Sequence, residues 1–210
     1  MTSVVILDYV GVALFAATGA LAASRKQLDI IGFLFLGAVT GIGGGTARDL
    51  ILGVPVFWVE QHTYVLVCVV TATIVYFTAH LIESRYRMLL WLDAVALSAY
   101  GVFGAYKGLV VTESATVGVV MGMITGTLGG ILRDVLAREP SVLMRQEIYV
   151  AAALAGAAIF VTAHSSGVLL SLAAGAGFLV ALGVRSGALL LGWTFPAYRS
   201  RPGRSPKDLL

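Results

Sequence analysis

Apolar residues run along this chain in blocks of about 20, and they do not alternate with polar ones. Seven blocks can be drawn, over residues 4–23, 30–52, 63–82, 88–107, 115–137, 147–164 and 168–190. A helix needs roughly 20 apolar residues to cross the hydrocarbon core of a bilayer, whereas barrel strands alternate. The pattern therefore predicts an all-α membrane protein with seven transmembrane helices. The breaks between blocks are chemical: Ser24-Arg25-Lys26-Gln27, the charged link from Glu83 to Arg87, and the turn from His164 to Gly167 among them. The break from Gly53 to His62 holds Pro55, Phe57 and Trp58, and its aromatics suit a headgroup region. The first block has no Lys or Arg before it and carries Asp8, so it reads as a retained span and not a cleaved signal.

A second pattern lies over the first. GIGGGTARDLILGVP at 41–55 returns as GTLGGILRDVLAREP at 126–140, an offset of 85 residues. Gly41, Gly44, Gly45, Arg48, Asp49 and Pro55 recur as Gly126, Gly129, Gly130, Arg133, Asp134 and Pro140. The same offset relates Asp8 to Asp93, Gly19 to Gly104, Thr40 to Thr125 and Tyr64 to Tyr149. The repeating unit thus covers three spans. An odd number of spans makes the second copy enter from the opposite side, an inverted repeat of the transporter kind. The expected units are residues 1–87 and 88–166 as the two repeats, 167–192 as an unmatched seventh helix, and 193–210 as a basic, disordered tail.

Composition agrees with lipid as the solvent: 59% of the 210 residues are hydrophobic and 12% charged, with mean hydropathy +0.93. Cys68 is alone, and His62, His80 and His164 show no ligand spacing, so neither a disulfide nor a metal site is expected. No phosphate loop or nucleophile constellation occurs, so the chain does not read as an enzyme. The net charge of +3 and the tail cations suit an anionic leaflet better than nucleic acid. Arg25, Lys26, Arg85, Arg87, Arg138, Arg145 and the tail cations fall on one side, Lys107 and Arg48 on the other. The positive-inside rule then puts the N-terminus outside and the C-terminus in the cytoplasm.

The glycines carry the functional argument. Gly43, Gly44 and Gly45, with Gly129 and Gly130, predict a kink or an unwound turn in the second and fifth spans. Backbone freed inside lipid must border protein or water. Helix packing through small residues is the alternative. Among the ionisable groups within predicted spans are Asp8, Arg48, Asp49, Asp93, Arg133 and Asp134. Equal depth suggests Asp8 near Arg48 and Asp93 near Arg133, while Arg48 and Asp49, neighbours in sequence, should not face each other. Snorkelling to the headgroups is the alternative. Thr40, Thr125 and Thr127, with Thr18, Ser98 and Tyr100, could offer oxygens to an ion, although a membrane threonine commonly bonds its own helix. Lys107 reads as an interfacial anchor, and Gly175 and Gly177 as packing residues.

With GIGGGTARD, GTLGGILRD and a three-plus-three-plus-one layout over residues 4–190, the chain resembles the trimeric intracellular cation (TRIC) channel family in its prokaryotic branch. The resemblance implies a homotrimer with a pore inside each subunit, between the two three-helix bundles and past the glycine kinks. It implies passive flow of K+ and Na+, a prokaryotic plasma membrane, and no cofactor beyond permeant ions and bound lipid. The Lys-Glu-Val motif of animal members is missing, and Leu128 stands where the first repeat has Gly43. An alternating-access transporter of a small carboxylate or amino acid is the second expectation, because arginines and half-helix N-termini suit a carboxylate.

Overall fold

Where the apolar blocks end, local chemistry ends the helices. In the computed structural model, which describes residues 2–141 and 148–196 and side chains from Ile6 onward, eight α-helices follow one another. They are α1 (Thr2–Arg25), α2 (Ile30–Leu52), α3 (Phe57–Glu60), α4 (Thr63–Thr78), α5 (Arg85–Thr112), α6 (Ala115–Leu136), α7 (Val150–Ser165) and α8 (Leu170–Leu191). Asp29 caps α2 by accepting from the Gly32 amide at 2.8 Å, satisfying one of the amides a helix start leaves open. Gly53 closes α2 in the left-handed region at φ 66°, a conformation glycine adopts without penalty. Ser84 and Ser114 cap α5 and α6.

Six helices are long and apolar enough to cross a membrane among the described residues: Ile6–Arg25, Ile30–Leu52, Thr63–Leu81, Arg85–Thr112, Ala115–Leu136 and Leu170–Leu191. The sequence predicts a seventh over 147–164. The corresponding α7 is apolar but has 16 residues, a length of about 24 Å at 1.5 Å per residue against a core of about 30 Å. Residue 147, cation Arg145 and the tail from residue 197 lie outside the described residues. Ile31, Phe35, Leu50, Leu66, Phe77 and Leu179 are exposed, as helices facing lipid require.

The helices pack as two triplets. α1, α2 and α4 touch one another, as do α5, α6 and α7; the triplets meet where α1 crosses α5 and α2 crosses α6, and α8 lies on α7 and α5. The α2–α6 crossing depends on glycine. A Cβ on Gly44 would lie 2.5 Å from the Thr125 carbonyl, and one on Gly129 would lie 2.6 Å from the Thr40 carbonyl. Within the triplets, Gly19 sits against the Leu36 carbonyl and Thr40 Oγ1, and Gly104 against the Met121 carbonyl and Thr125 Oγ1.

Two expectations change here. No unwound turn occurs: α2 and α6 are continuously helical through 41–45 and 126–130. The tolerance of glycine for a neighbouring backbone, and not its breaking of helices, explains these runs. The aromatics after Pro55 do not both face headgroups either. Phe57 is buried in the α3 turn, and Trp58 is held by a 2.9 Å hydrogen bond from its Nε1 to Thr46 Oγ1.

Candidate functional site

Lipid-exposed hydrocarbon offers nothing to an ion, so every charge inside must find partners in the protein or in enclosed water. Asp8, Arg48, Asp49, Asp93, Arg133 and Asp134 are all buried, none more than 4% exposed. They are therefore not snorkelling to headgroups. They form two clusters at the two ends of the seam between triplets.

The first cluster joins α1, α2, α4 and α5. Asp8 Oδ2 accepts from the Tyr64 hydroxyl at 2.6 Å. Asp49 Oδ1 accepts from Arg48 Nε at 2.8 Å and pairs with Lys107 Nζ at 2.8 Å. Asp49 Oδ2 accepts from the Phe57 amide at 2.9 Å, which explains why α3 folds back here. The Arg48 guanidinium lies 5.0 Å from the Phe103 ring centre and 5.6 Å from that of Phe57. Asp8 is within electrostatic reach of Arg48, Lys107 and Asp49, but no hydrogen bond joins Asp8 to Arg48. Next to this cluster a cavity of about 280 Å³ opens, lined by Asp8, Phe57, Glu60, Tyr64, Phe103 and Lys107 among others.

The second cluster joins α5, α6 and α1. Arg133 donates from Nη1 to Asp93 at 2.7 Å and to Thr18 Oγ1 at 3.1 Å, and from Nε and Nη2 to Asp134 at 3.0 and 2.9 Å. Tyr149 donates to Asp93 at 3.5 Å, so the Asp–Tyr pair of the first cluster recurs at the 85-residue offset.

Two sequence expectations are corrected. Arg48 and Asp49 do bond each other, as do Arg133 and Asp134. Adjacent Cβ atoms diverge on a helix, but the arginine stem is long enough to bend sideways to its neighbour's carboxylate. Lys107 is no simple anchor, because its ammonium is spent on Asp49.

The predicted oxygen donors divide. Thr40 and Thr127 return their hydroxyls to the Leu36 and Met123 carbonyls at 2.6 and 2.8 Å, Ser98 to Ala94 at 2.7 Å, and Thr18 to Phe15 at 2.8 Å. Thr125 Oγ1 and the Tyr100 hydroxyl, both buried, have no protein partner. Neither do Asp8 Oδ1, Arg48 Nη1 and Nη2, and Asp93 Oδ2. Buried polar atoms are ordinarily bonded to protein, water or ligand, so these atoms mark where a polar guest belongs. Gly45 adjoins the Tyr100 hydroxyl and Phe57, Gly130 adjoins the Tyr149 hydroxyl and Asp93, and Gly43 faces Leu132. Arg185 on α8 was not anticipated. It is fully buried, its guanidinium 5.1 Å from the Tyr149 ring centre. Its signal was a lone arginine inside the apolar block 168–190.

A solved TRIC trimeric intracellular cation channel orthologue from Rhodobacter sphaeroides is 51% identical and superposes with a TM-score of 0.90, covering 92% of this chain and 100% of that one. The chain belongs to the prokaryotic TRIC family. A second TRIC structure, described for conductance through TRIC cation channels, is 29% identical with a TM-score of 0.83 over 94% and 98% of the two chains. The UPF0126 inner membrane protein YadS of Escherichia coli strain K12 is 40% identical over 189 residues, 87% of this chain and 90% of its own. One family model, described as Glycine transporter, matches this TRIC family member twice, at residues 5–80 and 90–165, and membership holds under that description too.

Proposed function

We propose that the chain is a passive channel for monovalent cations, K+ and Na+, with a pore in each subunit of a homotrimer. The observation that carries this reading is the set of buried, unpartnered polar atoms on the helices that meet at the seam: Asp8 Oδ1, the Tyr100 hydroxyl, Thr125 Oγ1 and Asp93 Oδ2. The solved relatives described as cation channels support it. The arginines do not oppose cation flow. Arg48 and Lys107 are both drawn onto Asp49, and Arg133 lies between Asp93 and Asp134. Among the residues that line the cavity, Asp8 and Glu60 outnumber Lys107, which leaves the mouth net negative and attractive to cations. The α2–α6 contact at Gly44 and Gly129 closes the seam midway, so opening requires these helices to separate or bend there. Residues 1–87 and 88–166 act as inverted units, α7 completes the second, and α8 braces it. The cations at Arg25, Lys26, Arg85, Arg87 and Arg138 face the cytoplasm, and the membrane is the prokaryotic plasma membrane.

Planar-bilayer recording of the purified protein under a KCl gradient tests this. Steady open currents reversing near the K+ potential are expected; silent bilayers reject it.

A second reading is favoured by one observation, the family description Glycine transporter matching both halves. On that reading the same seam passes a small amino acid by alternating access. Saturable glycine uptake into proteoliposomes that yield no steady current would select it.

A further inference from the structure

We infer that the cavity beside Arg85, at the opposite end of the first triplet from Asp8, is a binding site for a phosphate group, carried on an anionic phospholipid or free in solution. The inference does not depend on which solute crosses the seam. The cavity is about 200 Å³ and lies where the α1–α2 turn, the end of α4 and the start of α5 meet. Its polar lining is Ser24, Gln27, Tyr76, His80 and Arg85, and none of its lining residues is a carboxylate. Arg85 is half-buried, although Ser84 and Tyr86 beside it are exposed. Its Nε donates to the Ala79 carbonyl at 3.0 Å, in the turn Ala79–Leu81 that ends α4. That bond fixes the guanidinium. Among the described residues, nothing pairs with its Nη1 and Nη2. The cations of the α1–α2 turn differ, because Arg25 and Lys26 are given to Glu139 at 2.8 and 3.6 Å. Arg85 thus brings a positive charge and two unused amino groups to a space without a counter-charge.

A guanidinium fork grips a carboxylate or a phosphate, so the rest of the lining decides. The Ser24 and Tyr76 hydroxyls, the Gln27 amide and the His80 imidazole border the same space. Tyr76 is held there edge-to-face on Phe33, ring centres 5.0 Å apart. Donors on several sides suit a tetrahedral anion with more than two oxygens better than a planar carboxylate. The volume is under the range of about 300–1,000 Å³ typical of drug-sized ligands, so it takes a phosphate group and not a nucleotide. Leu28 in the wall, with Ile31, Phe77 and Leu81 on the adjoining turns, is exposed. The cavity therefore stands at the end of lipid-facing helices, where a basic pocket meets phospholipid headgroups. The repeated fold does not by itself create the site. At the 85-residue offset, Leu109, Val161 and Leu170 replace Ser24, Tyr76 and Arg85, so the equivalent place in the second triplet lacks these donors.

The test uses the full-length protein in dodecyl maltoside, a detergent without phosphate. Native mass spectrometry with phosphatidylglycerol reads the lipid source, and equilibrium binding of radiolabelled inorganic phosphate reads the soluble one. Saturable binding is expected, and the arm that shows it names the source. Arg85→Gln should weaken that binding by about tenfold or more. Arg87→Gln removes the same charge from an exposed position two residues on and should bind like wild type. Ser24→Ala should weaken binding by about threefold or more. It removes one oxygen only, so it remains informative should Arg85→Gln fail to fold. Equal losses in Arg85→Gln and Arg87→Gln would show diffuse surface attraction and overturn the site. No binding in either arm would overturn it too. Acetate displacing the bound lipid or phosphate at the concentration at which inorganic phosphate does so would overturn the tetrahedral anion.

Discussion

At the scale of single residues, the two arginines make a controlled comparison. Both are buried, both follow the same glycine run, and both bond the aspartate that comes next. Arg133 makes four hydrogen bonds to Asp93, Thr18 and Asp134, whereas Arg48 bonds only Asp49 and leaves both terminal amino groups open. Removing one partner from a buried ion pair costs about 3–5 kcal/mol, because a charge is stranded. Arg133→Ala should reach that range, since Asp93 and Asp134 lose their cation together. Arg48→Ala should cost distinctly less, since Lys107 still compensates Asp49. Thermal melts of the two variants in one detergent check the order; equal losses would contradict it. Sequence alone could place these charges at the two ends of the seam from their depth in the spans. It could not say that each arginine would bend to its own neighbour, because that depends on how the facing triplet blocks other rotamers.

At the scale of the element, the helices were legible because apolar length and polar breaks determine where a membrane helix can lie. What could not be read was the use of the glycines. A helix-breaking role and a close-packing role draw on the same residue, and only the distance to the next backbone separates them. Gly44 and Gly129 stand against carbonyls across the seam, while Gly175 and Gly183 on α8 meet open space. Gly44→Ala and Gly129→Ala should therefore destabilise by about 1–3 kcal/mol through overpacking. Gly175→Ala should be neutral or stabilise by up to about 1 kcal/mol through helix propensity. Gly177 in the same helix packs against the Gly156 carbonyl, so its alanine variant should behave like the seam variants. Fluorescence-detected size-exclusion after graded heating would rank all four, and a Gly175 variant as damaged as Gly44 would show that α8 has a tight partner on that face.

At the scale of the whole molecule, the inequality of the two ends follows from where the repeats have diverged. Thr18 and Phe103 occupy equivalent positions 85 residues apart, as do Ala22 and Lys107. Arg133 finds a hydroxyl at the first position, and its hydrogen bond to Thr18 ties α6 of one triplet to α1 of the other. Arg48 finds a phenyl ring instead and stacks 5.0 Å from it. One end is thus latched across the seam and the other is left with a cavity and open donors. If the triplets must part for anything to pass, the latch is part of the barrier. Thr18→Val keeps the shape and deletes the acceptor. A hydrogen bond to a charged group contributes about 1.5–3 kcal/mol net, and each 1.4 kcal/mol changes a population about tenfold. Because Arg133 keeps its carboxylates when Thr18 is lost, part of that energy is recovered, and an increase in open probability or flux of about tenfold is the expected result. Single-channel open probability for K+, or initial uptake rate for glycine, measures it under either functional reading. Phe103→Thr supplies the missing acceptor to Arg48 and should move the same quantity the other way. If neither variant changes it, the seam between α1 and α6 does not move during permeation.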